Sequence, residues 1–154
     1  MEGDLRLENQ LCFALYDAAR TMAGAYQAAL TPLGLTYPQF LVLLVLWEED
    51  SRTVSQLGSG LHLDSGTLSP LLKRLEVLGL VERRRESQDG RTVTIRLTER
   101  GAGLKSRAAT VQGDLRDQLA MSDEELAALH VLSARFCTAA RSPLGGTPPP
   151  ADHP

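Results

Sequence analysis

Two cysteines, Cys12 and Cys137, bring thiol chemistry to this sequence of 154 residues. An ionised thiol is a nucleophile, and oxidants convert it through a sulfenic acid to a disulfide. Cys12 stands near the start of a helical pattern, where the helix dipole stabilises a thiolate, and its neighbours Leu11 and Phe13 are apolar. A structural reading competes with this one, because free cysteine often serves as a small buried hydrophobe. The residues alone leave both readings open.

A second group of side chains could make hydrogen bonds to the edges of bases. Asp64 predicts the start of a helix, and leucines at helical spacing from Leu68 to Leu78 form its apolar stripe. Hydroxyls, a proline and two cations occupy the rest of this helix: Ser65, Thr67, Ser69, Pro70, Lys73 and Arg74. Because a helix fits the major groove of DNA, the sequence predicts a recognition helix.

Positive charge is concentrated around this helix. The net charge of the chain is −3, but residues 73–107 hold ten basic and five acidic side chains, a local charge of +5. The remaining residues hold six basic and fourteen acidic side chains, which gives −8. Arg83, Arg84 and Arg85 are expected to bind phosphates. The alternative for any such charged segment is an ordinary solvated surface.

A ribbon follows the recognition helix. Gly79 ends the helix, and residues 80–85 and 92–97 have strand character. Asp89, which precedes a glycine, marks the hairpin tip, and Arg91 is placed there to enter a minor groove. Asp89 either pairs with Arg91 or is only a turn residue. A short helix, a tight turn, a second helix and a ribbon together predict a winged helix-turn-helix.

The remaining elements are predicted from helical spacing and from capping boxes. The first helix covers 7–30, the second begins at Thr36 and the third at Thr53, closing around Gly58 to Gly60. After the ribbon, Thr98 caps a long helix that reaches roughly Leu119, and Ser122 opens a final helix to about Ala140. The expected order is three helices, the recognition helix, the wing and two helices.

The fold class is therefore mainly α (α+β), a winged helix-turn-helix with flanking dimerisation helices. One domain is expected over residues 1–141, with its DNA-binding part at about 37–98. Dimerisation helices are expected at about 5–31 and 98–141, since their broad apolar faces exceed what one globule needs. Residues 142–154 are rich in proline and glycine, and we expect this tail to be disordered.

Several other classes of protein are not indicated. His62, His130 and His153 are scattered and form no metal-ligand spacing with the cysteines, so we expect no bound metal. No phosphate loop or dinucleotide fingerprint occurs, so no cofactor is expected. The apolar stretch 40–47 is too short to span a membrane, and the acidic N-terminus lacks the basic start of a secretory signal. Two free cysteines indicate a reducing cytoplasm.

The sequence resembles the MarR family of winged-helix regulators, and within it the organic-hydroperoxide-sensing repressors, the OhrR branch. The motifs that carry the family resemblance are Leu63-Asp64-Ser65-Gly66-Thr67-Leu68, Leu71-Leu72-Lys73-Arg74-Leu75, Gly79-Leu80-Val81 and Asp89-Gly90-Arg91. The motifs that carry the resemblance to the branch are residues 7–16 with their cysteine, residues 33–40 and residues 46–48. Together they cover about residues 5–140.

The resemblance implies that Cys12 is a peroxide-sensing thiol, that Tyr26 and Tyr37 donate hydrogen bonds to its thiolate, and that Tyr16 lies nearby. Phenol hydroxyls would favour the thiolate, and attack on a peroxide would give a sulfenic acid. In members with two cysteines, a second cysteine from the partner subunit resolves this acid. Cys137 lies later in the chain than that position. It therefore either resolves the acid or is a spare thiol, in which case a small cellular thiol caps Cys12.

These observations predict a homodimeric transcriptional repressor that binds a pseudo-palindromic operator in double-stranded DNA and releases it when an organic hydroperoxide oxidises Cys12. One alternative is a MarR-type regulator that senses a small phenolic or acidic ligand in the dimer crevice, with Cys12 structural. Another is a thiol peroxidase. No arginine or histidine stands beside Cys12 in the sequence, and much of the chain forms the DNA module, so we expect no enzyme.

Overall fold

The computed structural model describes residues 5–85 and 93–141. The wing tip and the C-terminal tail lie outside the described residues. The helices are α1 (Leu11–Leu30), α2 (Tyr37–Glu48), α3 (Val54–Leu61), α4 (Ser65–Val77), α5 (Glu99–Gly103), α6 (Lys105–Gln118) and α7 (Asp123–Arg141). The strands are β1 (Arg52–Thr53), β2 (Val81–Arg85) and β3 (Val93–Leu97). The predicted fold class, mainly helical with a winged helix-turn-helix, is confirmed.

The chain forms two compact units, Met1–Leu115 and Arg116–Pro154. In the first unit, α2 is the central helix. Its sequence is apolar on all sides, and Phe40, Val42 and Leu43 are at most 1 % exposed. Burial of one such side chain stabilises the fold by roughly 1.5–3 kcal/mol. The first unit is therefore built around α2.

Capping boxes start α2 and α3, as predicted. The backbone N–H of Thr36 donates to Gln39 Oε1 at 2.8 Å, and the Gln39 N–H donates back to Thr36 Oγ1 at 3.4 Å. Thr53 and Gln56 make the same exchange at the start of α3. Each box satisfies backbone donors that a helix end leaves unpaired. Both caps are short-range, which is why the sequence reveals them.

A tight turn joins α3 to α4. α3 continues to Leu61, one residue beyond the predicted closure, and His62 then adopts a left-handed conformation with φ of 56°. The Leu63 N–H donates to the Gly58 carbonyl at 2.9 Å. A Cβ on Gly58 would lie only 2.9 Å from the Leu63 carbonyl oxygen. The turn between the two helices therefore depends on a residue without a side chain at position 58.

The predicted recognition helix is α4. Leu68, Leu72 and Leu75 are fully buried, which confirms the apolar stripe. Gly79, with φ of 66°, donates to the Glu76 carbonyl, and the Leu80 N–H donates to the Leu75 carbonyl at 3.0 Å. This pair of bonds is a Schellman motif, in which glycine supplies the left-handed residue. It ends α4 and turns the chain directly into β2.

The sheet has three antiparallel strands in the order β1-β3-β2. Val81 lies opposite Leu97, and Arg85 lies opposite Val93, so β2 and β3 form the predicted ribbon. The strand β1 was not predicted, because two residues are too few to show a period. It pairs with β3 and places that strand at the centre of the sheet.

Thr94 departs from the predicted alternation of buried apolar and exposed polar residues. It is only 4 % exposed, although it is polar. It lies in the central strand between Thr53 and Arg84, and its hydroxyl donates to the Arg84 carbonyl at 3.4 Å. Strands on both sides therefore shield it from water.

The predicted long helix after the wing is two helices. Thr98 caps the first as expected, accepting from the Gly101 N–H at 3.1 Å, but α5 ends at Gly103 and α6 begins at Lys105. Gly101 and Gly103 lower the helix propensity of this segment. A Cβ on Gly101 would lie 2.0 Å from the Leu80 carbonyl oxygen. The position of α5 is thus set by close backbone packing, which a local pattern does not show.

The predicted first helix also begins differently. Residues Leu7–Asn9 form a 3₁₀ turn, Gln10 is extended, and α1 starts at Leu11. Three large apolar or aromatic side chains near this end of α1 are exposed: Leu11, Phe13 and Tyr16. The N-terminal half of α1 therefore carries apolar surface that the first unit does not cover.

The second unit contains the end of α6 and the helix α7. Ser122 and Glu125 form the predicted capping box, and Arg116 pairs with Asp123. Large apolar side chains of α7 are exposed: Leu129, Val131, Leu132 and Phe136. Among the described helices, none alone is long and apolar enough to cross a bilayer. Only α1 with its following turn, taken together with α2 at a bend of 75°, reaches that apolarity, and α2 lies in the core.

The packing of α5 gives a stability prediction. Gly101→Ala should lower the free energy of unfolding by about 1–3 kcal/mol, because the new methyl group has no room beside the Leu80 carbonyl. Gly103→Ala is the matched control, since no atom lies within 4 Å of its added Cβ. Urea unfolding followed by circular dichroism, at equal protein concentration, measures both. Equal stability of the two variants would contradict this account of α5.

Candidate functional site

The exposed face of α4 forms a shallow groove with the start of the ribbon. The residues that line the groove are Ser65, Gly66, Ser69, Pro70, Lys73, Glu76 and Arg83. Ser65 and Ser69 are exposed, one turn of helix apart, and Lys73 follows at the next turn. Arg74 is also exposed and lies on the side of α4 that faces the start of α2, where it borders a cleft with Thr36 and Gln39. Two hydroxyls and a cation in a row can meet successive base edges or phosphates.

Thr67 has a different position from the two serines. It is half-buried, and its hydroxyl donates to Asp64 Oδ2 at 2.9 Å, while its backbone N–H donates to Asp64 Oδ1 at 2.9 Å. These two bonds, the backbone one first, hold the pKa of Asp64 below its ordinary value of 3.8. The hydroxyl proton of Thr67 thus serves the helix cap, which leaves its oxygen lone pairs for other partners.

The arginine triplet on β2 is exposed, and two of its members are held by carboxylates. Arg83 Nε donates to Glu76 Oε2 at 2.9 Å, which ties β2 to α4, and Arg84 Nε donates to Glu82 Oε1 at 2.7 Å. Arg85 is exposed at the end of the strand. Sequence reasoning missed the glutamates. Glu82 could have been found from its place two residues before Arg84, on the same strand face.

Asp89 and Arg91, predicted at the wing tip, lie outside the described residues. Their roles therefore stay predictions. In the described part of the chain, no group of three or more histidine, cysteine or carboxylate residues could hold a metal ion.

The predicted thiol, Cys12, is the second residue of α1 and is exposed. Tyr16 follows one turn later on the same side of the helix and is also exposed. The guanidinium carbon of Arg20 lies 5.9 Å from the centre of the Tyr16 ring. Cys137, on α7 in the second unit, is exposed as well. The structure thus places Tyr16 near Cys12 and leaves both thiols open to solvent.

The other two predicted tyrosines meet each other. The ring centres of Tyr26 and Tyr37 are 4.9 Å apart, and both rings are half-buried. Burial raises the pKa of Tyr26 above its ordinary value of 10.0, and the neighbouring Tyr37 raises it further. Tyr26 therefore keeps its phenolic proton well into the alkaline range and remains a hydrogen-bond donor.

Cys12 and this tyrosine pair do not meet within one chain. Tyr26 stands fourteen positions after Cys12 on the same continuous helix. At 1.5 Å per residue, the two positions are about 21 Å apart along α1. No side chain can cross that distance. Any contact between Cys12 and Tyr26 must involve a second copy of the chain.

A separate cleft opens beside α2. It has a volume of about 230 Å³ and is lined by Phe40, Leu44, Trp47, Glu48, Lys105, Ala108, Ala109 and Gln112. Its wall is mainly apolar, with one cation and one carboxylate at its edge. Such a site suits a small aromatic molecule with a polar group.

The chain is similar to known transcriptional regulators. A family model described as transcriptional regulator SarA/Rot matches residues 25–108. The chain is 48% identical over 122 residues to the organic hydroperoxide resistance transcriptional regulator of Bacillus subtilis, covering 79% of this chain and 83% of that protein.

Solved structures of transcriptional regulators are also similar to this chain. Reduced AbfR bound to DNA superposes with a TM-score of 0.72 at 37% identity, covering 88% of this chain and 94% of the other. The wild-type MarR of E. coli, in its apo form, gives a TM-score of 0.68 at 28% identity, covering 82% and 96%.

The Asp64 cap gives a prediction for pH dependence. Because folding lowers the pKa of Asp64, its carboxylate stabilises the fold above pH 3.8, and this contribution disappears as the pH falls through the lower, folded-state pKa. Asp64→Asn keeps an acceptor but loses the charge. We expect the variant to melt at a lower temperature than the wild type at neutral pH, with the gap closing in acid. A gap independent of pH, in thermal unfolding scans, would contradict the charged cap.

The tyrosine pair gives a second prediction. Tyrosinate absorbance during an alkaline titration, compared between the wild type and Tyr26→Phe, isolates the ionisation of Tyr26. We expect a midpoint above 10.0, because burial disfavours the phenolate. Circular dichroism at each pH confirms that the protein is still folded. A midpoint at or below 10.0 would show that Tyr26 is solvated.

Proposed function

The chain belongs to the MarR/SarA family of winged-helix transcriptional regulators, and we propose that it is a homodimeric repressor that releases DNA when an organic hydroperoxide oxidises Cys12. DNA binding follows from membership of the family. The observation that carries the finer proposal is the geometry of α1, which places the exposed Cys12 thiol about 21 Å from Tyr26, the half-buried phenol that packs on Tyr37.

The DNA contacts of the proposal use the groove on α4. Ser65, Ser69 and Lys73 enter the major groove, with Thr67, Pro70 and Arg74 beside them. Arg83, Arg84 and Arg85 bind phosphates, and Arg91 enters the minor groove next to Asp89. Exposed ion pairs contribute only about 0–1 kcal/mol, so phosphate can replace Glu76 on Arg83 at small cost. Two such modules in a two-fold dimer match a pseudo-palindromic operator.

The thiol site of the proposal is shared between two chains. In a two-fold dimer whose antiparallel α1 helices cross near residue 19, residue 12 of one helix lies opposite residue 26 of the other. Cys12 then meets the partner's Tyr26 and Tyr37, which it cannot reach in its own chain. The exposed Leu11, Phe13 and Tyr16 supply apolar surface for such a contact.

The chemistry follows from these neighbours. The neutral phenol of Tyr26 donates a hydrogen bond that stabilises the Cys12 thiolate. The thiolate sulfur attacks one peroxide oxygen, and the O–O bond breaks. Cys12 becomes a sulfenic acid, and the alkoxide leaves and takes a proton to become an alcohol. Apolar neighbours such as Leu11 and Phe13 favour an organic peroxide over hydrogen peroxide.

Oxidation then changes the affinity for DNA. The sulfenic acid is neutral and carries an added oxygen, so it accepts weaker hydrogen bonds from the phenols than the thiolate does. The two chains then shift, and their recognition helices lose the spacing of adjacent major grooves. A difference of about 1–3 kcal/mol between the two states changes affinity by roughly 5- to 150-fold. The sulfenic acid afterwards condenses either with Cys137 of the partner subunit or with a small cellular thiol.

A second candidate function rests on the cleft beside α2. Its apolar wall and the cation Lys105 suit a small phenolic or acidic ligand, in a regulator where Cys12 is structural. Such a ligand would change the DNA affinity without any oxidant.

A band-shift assay tests the proposal and separates the two candidates. The DNA is a fragment selected by the reduced protein from a random-sequence pool, and the oxidant is cumene hydroperoxide. We expect Cys12→Ser to bind this DNA as the reduced wild type does, and to stay bound after oxidant. Release of DNA by Cys12→Ser would refute the sensing role of Cys12.

Cys137→Ser is the matched control, since it removes the other exposed thiol. Release that persists in this variant shows that oxidation of Cys12 releases DNA without Cys137. Mass spectrometry under non-reducing conditions identifies a Cys12–Cys137 disulfide or a mixed disulfide directly. Release of the wild type by salicylate, with no response to oxidant, would favour the second candidate.

A further inference from the structure

Four aromatic rings lie in a row from the tyrosine pair through the core. Tyr37 packs on Tyr26 at 4.9 Å between ring centres, Tyr26 on Phe40 at 5.7 Å, and Phe40 on Trp47 at 6.1 Å. Phe40 is only 1 % exposed, so the middle of the row is enclosed. Trp47 is the single tryptophan of the chain. We call these four residues the aromatic row.

The far end of the aromatic row is tied to α5 and α6. The indole N–H of Trp47 donates to the Gly101 carbonyl at 2.9 Å, and Lys105 Nζ donates to the Trp47 carbonyl at 3.0 Å. A buried or half-buried indole N–H normally finds such a partner, and this one lies 54 positions away in the chain. The orientation of Trp47 is therefore fixed to the backbone of α5.

Gly101 in turn touches the point where α4 ends and β2 begins. Its Cα lies so near the Leu80 carbonyl that an added Cβ would be 2.0 Å from the oxygen. The same carbonyl accepts from the Thr98 N–H at 3.1 Å, and the Leu80 N–H donates to Leu75 of α4. Gly101 is therefore packed against the segment that joins the recognition helix to β2.

We propose that Trp47 is a positioning residue that couples the tyrosine pair to the junction of α4 and β2. The proposal rests on the proposed function for its input at Cys12. Oxidation of Cys12 releases the phenols that bind it, and the rings of a close-packed interior cannot absorb their shift independently. The displacement reaches Trp47 through Phe40, and the indole hydrogen bond carries it to Gly101. Contiguous packing of this kind is a physical route for coupling between sites.

Trp47→Phe tests the route, because it keeps an aromatic ring beside Phe40 and removes the N–H donor to Gly101. Val45→Ala is the matched control on α2, since Val45 packs against the same hydrophobic core and its substitution leaves the indole bond intact. The measurement is the ratio of DNA affinities of the reduced and the oxidised protein.

We expect Trp47→Phe to bind DNA in the reduced state within about three-fold of the wild type, and to lose most of the roughly 5- to 150-fold effect of oxidation. Val45→Ala should keep that effect. A merely structural Trp47 would change stability without changing the ratio. A wild-type ratio in Trp47→Phe, or an equal loss in both variants, overturns the proposal.

Fluorescence of the wild type gives a readout that needs no variant of the aromatic row. Because Trp47 is the single tryptophan, its emission reports the row directly. We expect the emission to change when DNA binds the reduced protein, and to change on oxidation without DNA in the wild type but not in Cys12→Ser. Emission that responds to neither event overturns the coupling.

The two proposals fail in different ways. If oxidant leaves the DNA affinity of the wild type unchanged, the proposed function fails, and the response of Trp47 to DNA still decides whether the row is joined to α4. If oxidant releases DNA and Trp47→Phe behaves like the wild type, only the route through Trp47 fails.

Discussion

The contact of Gly101 with the Leu80 carbonyl is the constraint on which the DNA-reading part of this molecule depends. A Cβ added to Gly101 would lie 2.0 Å from the Leu80 carbonyl oxygen, so only the hydrogen atom of glycine fits there. The contact brings α5 against the short segment between the recognition helix and β2. Thr98 strengthens it by donating its hydroxyl proton to the Gly79 carbonyl at 2.7 Å. This one contact therefore helps to set the direction of α4, the start of β2 and the position of Trp47. A bulkier residue at this point would move all three together.

Positive and negative charges are concentrated in different parts of the sequence. A net charge of −3 is compatible with DNA binding because residues 73–107, which include the end of α4 and all of β2, carry a local charge of +5. The carboxylates of Glu76 and Glu82 pair with two arginines of β2, Arg83 and Arg84. They reduce the local positive potential, yet they limit the conformations of long side chains that would otherwise lose entropy when they meet a phosphate backbone.

The sequence revealed those features that depend on neighbours along the chain. Capping boxes at Thr36, Thr53 and Ser122 and the glycine end of α4 were all predicted, because their partners lie within a few residues. The strand β1, the burial of Thr94 and the break after α5 were not, because each depends on a distant segment. The same distinction between local and distant partners applies to the candidate site. The outer face of α4 was predicted from helical period, whereas the Glu76–Arg83 pair crosses the turn between helix and strand. The separation of Cys12 from Tyr26 follows from the predicted single helix over residues 7–30, and the structure shows that α1 is continuous from Leu11 to Leu30.

That continuity of α1 has a consequence for genetics. Under the shared-site arrangement, each chain lends its thiol to one site and its phenols to the other, so a dimer is the smallest unit that can sense anything. A cell that makes both normal chains and chains without the thiol would contain dimers with two, one or no complete sites. The mutant allele would then be partly dominant, because a normal chain paired with a defective one loses the site to which its own phenols belong. The partial dominance would follow from the length of α1, which keeps the thiol and the phenols of one chain apart.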